Sequence, residues 1–224
     1  VKNLLIISSL LFSSLVFSAE NQDVRVLEIK KEIISMAKSF EGKPDVDGKL
    51  QSALEEKVEQ LEKIIPYSTM EEKASKIVGA WRQVFGPYSK KADGKIPSSS
   101  VTDHIYQVIL PNGYFYNVAL AEGLGLKAVI LLKGKYVVDA ESIKATFVRN
   151  SLMFKNLPSD ESYYLLPEKL EKNEIKVIDV PKSIPPVGTT GELLEVYADS
   201  EIRILRGKSP TFKKVALLIM EKKQ

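Results

Sequence analysis

The chain contains no cysteine. Disulfides, thiol nucleophiles, cysteine-ligated zinc and iron–sulfur clusters are therefore excluded. Histidine is nearly as scarce, with His104 the single example. That rules out a metal site built on several histidines, and a serine–histidine–acid triad would have only this residue to use. His104 falls in an alternating segment with Tyr106, Val108 and Leu110, where it reads as a strand residue rather than a catalytic one. There is no G-x-S-x-G, no G-x-x-x-x-G-K-[ST] and no H-E-x-x-H. The glycines of EGLGLK (122–127) lie between β-type segments and not ahead of a helix, so they do not form a nucleotide loop. An excess of one charge is missing too. The formal net charge is +3 over 224 residues, with lysine and glutamate interleaved, which describes a solvated surface and not a nucleic-acid footprint. The expectation is a protein with no metal, no cofactor, no nucleic-acid partner and no enzymatic activity.

What is present begins with VKNLLIISSLLFSSLVFSAENQD. One lysine precedes an apolar run from Leu4 to Phe17, followed by small and then polar residues. This is the order of a secretory signal peptide, with cleavage after Ser18 or Ala19. The run of about 14 residues is short of the ~20 that span a bilayer as a helix. No cysteine follows it, so a lipoprotein anchor is excluded. The mature protein is expected to be exported, periplasmic or secreted, with no transmembrane span after cleavage. The expected organisation is a leader over 1–19, a helical hairpin over 20–66 and a β domain over 67–224.

Residues 23–41 place Val26, Ile29, Ile33, Ala37 and Phe40 at helical spacing. Gly42 and Pro44 end that helix. A second helix follows, with Asp45 or Asp47 as N-cap and a stripe of Leu50, Leu54, Val58, Leu61 and Ile65. Ser68 with Glu71, or Thr69 with Glu72, has capping-box spacing and starts a short third helix running to about Ile77. From Val78 the helical period disappears. Strands are expected near 79–86, 102–110, 113–121, 126–133, 135–140, 143–154, 162–166, 174–179, 192–198, 201–206 and 213–221. Pro111-Asn112-Gly113, Gly134, Asp199-Ser200 and Gly207 mark turns between them. Loops are expected at 89–100 and 181–191. Many short strands without intervening helices imply an antiparallel all-β barrel or sandwich.

Two stretches stand out. Gly79-Ala80-Trp81 begins the first strand and carries the only tryptophan. A G-x-W there resembles the lipocalin signature, in which the ring lies across the closed end of a barrel with an arginine packed on it. The second is YADSEIRILRG, Tyr197 to Gly207. Asp199-Ser200 makes a tight turn between two alternating segments. Arg203 and Arg206 are three apart, so on a regular strand they face opposite ways and cannot clamp one anion together. One arginine is expected to stack on Trp81, and the other to pair with Asp199 or Glu201.

GELLEVYADSEIRILRG followed by a hydrophobic strand resembles the C-terminal motif of plastid lipid-associated proteins, the PAP/fibrillin family. LEKIIPYSTMEEKASKIVGAWRQVF resembles the family's first helix and G-x-W-type strand, and GYFYNVAL its strand with an internal asparagine. The similarity covers about residues 60–220, leaving the two N-terminal helices outside. The matching motif positions are Gly79, Trp81, Tyr197, Asp199, Arg203, Arg206 and Gly207. Ala198 stands where leucine is usual, and Lys208-Ser209-Pro210 interrupts the approach to the last strand. The leader is not of the transit-peptide kind, so the family's plastid roles do not carry over.

The resemblance implies a mainly β fold. An antiparallel lipocalin-like β-barrel would be preceded by an N-terminal helical hairpin and a short helix leading into the barrel. It also implies non-enzymatic binding of a lipid or another small hydrophobic molecule. Inward candidates are Ile105, Ile109, Phe115, Val118, Val129, Leu131, Phe147, Leu152 and Phe154, with Tyr106, Tyr114, Tyr116 and Tyr163 at a mouth. Such an interior fits a ligand cavity or a packed core equally. The alternative is a solid-core interaction module that binds a protein partner through helices 23–65.

Overall fold

The computed structural model describes residues 23–39, 48–65, 68–86, 101–123, 126–158, 162–182, 185–208 and 215–223. The chain divides into two compact units, a helical one reaching Tyr67 and a larger one from Ser68.

The helical unit consists of α1 (23–39) and α2 (Lys49–Ile64). The apolar stripes read from the sequence are buried: Ile29, Ile33 and Ala37 on α1, and Leu50, Leu54, Val58 and Leu61 on α2. Lys57 Nζ reaches Glu32 Oε2 at 2.6 Å, joining the two helices. Gly48, in the left-handed region, occupies the cap position of α2. Asp45 and Asp47, expected there, and Phe40 lie outside the described residues.

The larger unit opens with α3 (Met70–Lys76). Its capping box is complete. Glu72 N–H donates to Thr69 Oγ1 at 3.2 Å, and Thr69 N–H donates to Glu72 Oε2 at 3.0 Å. There follow β1 (Gly79–Phe85), β2 (Val101–Ile109), β3 (Tyr114–Gly123), β4 (Leu126–Val138), β5 (Ile143–Met153), α4 (Leu166–Glu171), β6 (Ile178–Asp179), β7 (Thr190–Ala198), β8 (Ile202–Lys208) and β9 (Ala216–Lys223). Eight of the strands form a closed antiparallel barrel. Each pairs with its neighbour in sequence, β9 returns to β1, and β6 lies beside the second half of β5. Closure removes the free edges that an open sheet would expose.

Single-residue bulges bend the wall. The registers skip Val84 in β1, Val148 in β5 and Val196 in β7. Each skip reverses which residues face inward beyond it. β5 changes partner along its length. Residues Ile143 to Thr146 pair with β7, while Ser151 and Leu152 pair with β6. Between them, Asn150 Nδ2 donates to Pro185 O at 2.7 Å and holds the returning chain against the barrel.

Two apolar clusters result. The inner one fills one end of the barrel: Trp81, Ile109, Phe115, Ile143, Ala145, Ala198, Leu205 and Met220, closed over by Met70, Ala74 and Ile77 from α3 and its end. The outer one lies on the other face of β2, β3 and β4. There Tyr163, Leu166 and Leu170 cover Tyr106, Val108, Tyr116, Val118, Leu120, Val129 and Leu131.

Four expected features differ, one of them the turn at Gly207, through which β8 continues to Lys208. The strand expected at 162–166 is a 3-10 turn, Ser162–Leu165, running into α4. Pro167 sits in the first turn of α4, where its missing N–H costs nothing. The strand expected at 174–179 is reduced to Ile178–Asp179. The turn expected at Gly134 does not exist, because β4 runs through it unbroken for 13 residues. A side chain at Gly134 would collide with the Phe115 ring, so the glycine makes room for an aromatic and does not turn the chain.

Candidate functional site: the barrel interior

The barrel encloses a cavity of about 280 Å³. Its wall is mainly apolar: Ile105 from β2, Phe115 and Ala119 from β3, Leu132 from β4, Ala145 and Phe147 from β5, Leu193 from β7, Leu205 from β8, and Leu218 and Met220 from β9. Phe115 and Phe147 meet edge to face, with ring centroids 5.7 Å apart. Pro185, Thr189 and Gly191 complete the wall where β5 and β7 part, and the exposed Lys208 lies at its rim.

Two polar residues of this wall, Gln107 and Asn117, are connected to a buried ion pair, while Gln83 from β1 adds a separate amide. Arg203 and Glu195 are both fully buried. The Arg203 guanidinium donates through Nε to Glu195 Oε2 at 2.9 Å and through Nη2 to Glu195 Oε1. Its Nη1 donates to Gln107 Oε1. Gln107 Nε2 in turn donates to Asn117 Oδ1 at 3.0 Å. Gln107 and Asn117 both line the cavity. They are cross-strand partners of Trp81 and Leu132, so Trp81, Gln107, Asn117 and Leu132 make one row across four adjacent strands. A buried pair of charges is costly unless every lone pair and proton is used, and this one is bidentate and extended by an amide.

The floor is set by Trp81, which is fully buried and donates through Nε1 to Ile77 O at 2.5 Å. The cation on its ring is Lys222, with Nζ 4.3 Å from the centroid and donating to Val78 O at 2.6 Å. Burial and the nearby Arg203 guanidinium push the Lys222 ammonium below its ordinary pKa. Gly79 has φ +124°, and a Cβ there would meet the Lys222 ammonium. The G-x-W pattern thus has a local cause, since glycine leaves the path by which a lysine reaches the tryptophan. Arginine was expected on that ring. Arg203 is instead held by Glu195, from the preceding strand of its own hairpin, and by Gln107, which is distant in sequence.

The Tyr197–Gly207 stretch is a hairpin, β7 to β8. Asp199 organises its turn. Its Oδ1 accepts from Glu201 N–H at 2.8 Å and Ile202 N–H at 2.9 Å, and its Oδ2 accepts from Tyr197 Oη at 2.9 Å. Burial, followed by the bond to Asp199, raises the Tyr197 hydroxyl well above its ordinary pKa. Asp199 therefore serves its own turn. Gly207 lies in the cavity wall, packed against Leu218 and Leu193. Arg206 is half-buried on the same strand and does not line the cavity.

Of the inward candidates, Ile105, Phe115 and Phe147 line the cavity. Ile109 belongs to the inner cluster beside Trp81. Val118, Val129 and Leu131 lie in the outer cluster beneath α4 and do not face inward. Phe154 follows the end of β5 and is 46% exposed. Leu152 is half-buried opposite Ile178. The tyrosines do not gather at a mouth. Tyr106, Tyr116 and Tyr163 are in the outer cluster, and Tyr114 is exposed beneath the Lys133 ammonium. The backbone of His104 lies in β2, and its side chain is outside what the structure describes. Sequence reasoning missed Gln107 and Glu195, and noted Asn117 only as the internal asparagine of GYFYNVAL, without a role in the site. Their signal was a polar residue at an inward position of an otherwise apolar strand face.

The PAP_fibrillin family model matches residues 28–213. The match begins within α1, so it takes in the helical unit that the motif resemblance had left outside. No curated protein and no solved structure matches the chain.

Proposed function

The chain belongs to the PAP_fibrillin family, and from that membership together with the cavity we propose that it binds a lipid or another small hydrophobic molecule inside the barrel, without catalysis. The observation that carries this reading is an apolar-walled space of about 280 Å³ within a closed barrel. Binding pockets generally run upward from about 300 Å³, and close-packed interiors leave few voids larger than a water. Space of this size favours a ligand site over a filled core. It suits one slender apolar molecule or one chain of a larger lipid. The exposed Lys208 at the rim marks a side from which a ligand reaches solvent. We also place the protein outside the cytoplasm, on the leader-like order of residues 1–19. Among the described residues no helix is long and apolar enough to cross a membrane.

The test is to fill the space. Ala119 lines the cavity on β3, between Asn117 and the strand's end. The Ala119→Phe variant should fold with an unchanged far-ultraviolet spectrum and lose the fluorescence enhancement that the wild type gives with diphenylhexatriene. Equal enhancement in both proteins would place the probe elsewhere and remove the cavity from the account.

A further inference from the structure

We propose that the cavity selects a neutral molecule carrying a hydrogen-bond acceptor, a ketone or ester carbonyl on an apolar chain, and seats that carbonyl on the Asn117 amide. The inference rests on the ligand-binding reading above and specifies its chemistry.

A guanidinium only donates. Arg203 Nη1 lies against the Gln107 side chain, so Gln107 must present its oxygen there. Its NH2 is then turned to Asn117, at 3.0 Å, and Asn117 must answer with its oxygen. The direction of every bond in the row is thus dictated by Arg203, and amide orientation is not a free choice. What remains at the end of the row is the Asn117 NH2. It lines the cavity and has no partner among the described residues. A donor left without a protein partner in an apolar wall has a hydrogen bond still to make. That bond is made when the ligand supplies an acceptor.

Charge then separates the acceptors. Arg203 is the only buried arginine among the described residues, and Glu195 already holds it in a bidentate pair. No net positive charge is left on the row to offset a carboxylate, and desolvating an uncompensated anion is far more costly than desolvating a carbonyl. A fatty acid anion is disfavoured at the row for that reason, and the cation of the wall, Lys208, stands at the solvent-exposed rim and not beside Asn117's amide row. A hydrocarbon of the same length is disfavoured more mildly, because it leaves the Asn117 donor unsatisfied.

The experiment compares three probes of similar size, 2-undecanone, undecane and decanoate, at neutral pH on the full chain, by displacement of diphenylhexatriene. The ketone should bind about tenfold more tightly than the hydrocarbon, the worth of one hydrogen bond made to an otherwise unpaired buried donor. It should exceed the carboxylate by at least as much. In Asn117→Leu the ketone's advantage over undecane should vanish. Should that variant fail to fold, the infrared stretch of the carbonyl-labelled ketone in the wild type decides, since a hydrogen-bonded carbonyl moves to lower frequency than the same ketone in hexane. Equal affinities for all three probes, tightest binding by decanoate, or an unshifted carbonyl would each overturn the proposal while leaving apolar binding intact. Failure of every probe to bind would overturn the ligand-binding reading itself, and this proposal with it.

Discussion

At the scale of single residues, two cations have separate duties. Arg203 is neutralised by Glu195 and orients an amide row, whereas Lys222 closes over Trp81. Removing one partner of a buried pair leaves an uncompensated charge, at a cost of about 3–5 kcal/mol. Arg203→Met and Glu195→Leu should each lower the urea midpoint strongly. The double variant should recover much of that loss, read as a coupling in a double-mutant cycle. Additive losses would contradict the pairing. A second cycle on Trp81→Phe and Lys222→Met should show a coupling of about 0.5–2 kcal/mol. The same cycle with Arg203 in place of Lys222 should show less. The hairpin turn at Asp199 was legible in the sequence because its chemistry is local, an aspartate accepting N–H groups two and three residues on. The partners of Arg203 were not, because Gln107 and Glu195 reach it only through strand register. The bulge that skips Val196 is what brings both Glu195 and Ala198 to the inner side.

At the scale of elements, α3 is a plug whose start is fixed by its capping box. Thr69→Ala removes the side-chain acceptor for Glu72 N–H, and should cost about 1 kcal/mol in chemical denaturation. Thr69→Ser should cost little. The attachment of α4 is sensitive to acid. Burial pushes the Glu171 carboxyl up, but hydrogen bonds from Lys133 and Tyr116 outweigh it and hold the group below its ordinary pKa. A carboxyl with a depressed folded-state pKa adds stability above its ordinary value, and that stability is lost as pH falls through the depressed one. The contribution of Glu171 should therefore be complete at neutral pH and fade below the ordinary glutamate range. Stability measured from pH 7 to 3 should fall less steeply in Glu171→Gln than in the wild type, and identical slopes would contradict the role.

The capping box and the positions of β1, β2 and β3 were readable in the sequence. Residues 162–171 were not. SYYLLPEKL offers a short apolar run that fits a strand as well as a helix, and only Pro167 and the spacing of Tyr163, Leu166 and Leu170 favour the helix. That misreading hid a second one. With α4 covering the outer face of β2 to β4, both faces of those strands are apolar. No polar side then marks which residues point outward, so Val118, Val129 and Leu131 looked like interior residues.

At the scale of the whole molecule, an eight-stranded barrel is sealed at one end by α3 and Trp81, padded outside by α4, and left with space inside. The barrel class was legible because turn signals and strand lengths are local. The cavity was not, since volume depends on how inward side chains meet across the barrel. That the space exists to hold an apolar molecule is the central claim. Its most direct test is native mass spectrometry on the full chain purified without detergent from its own host, before and after organic extraction. The account predicts a defined extra mass that extraction removes and that the Ala119→Phe variant never carries. A bare protein mass that stays bare after exposure to a lipid extract would contradict it.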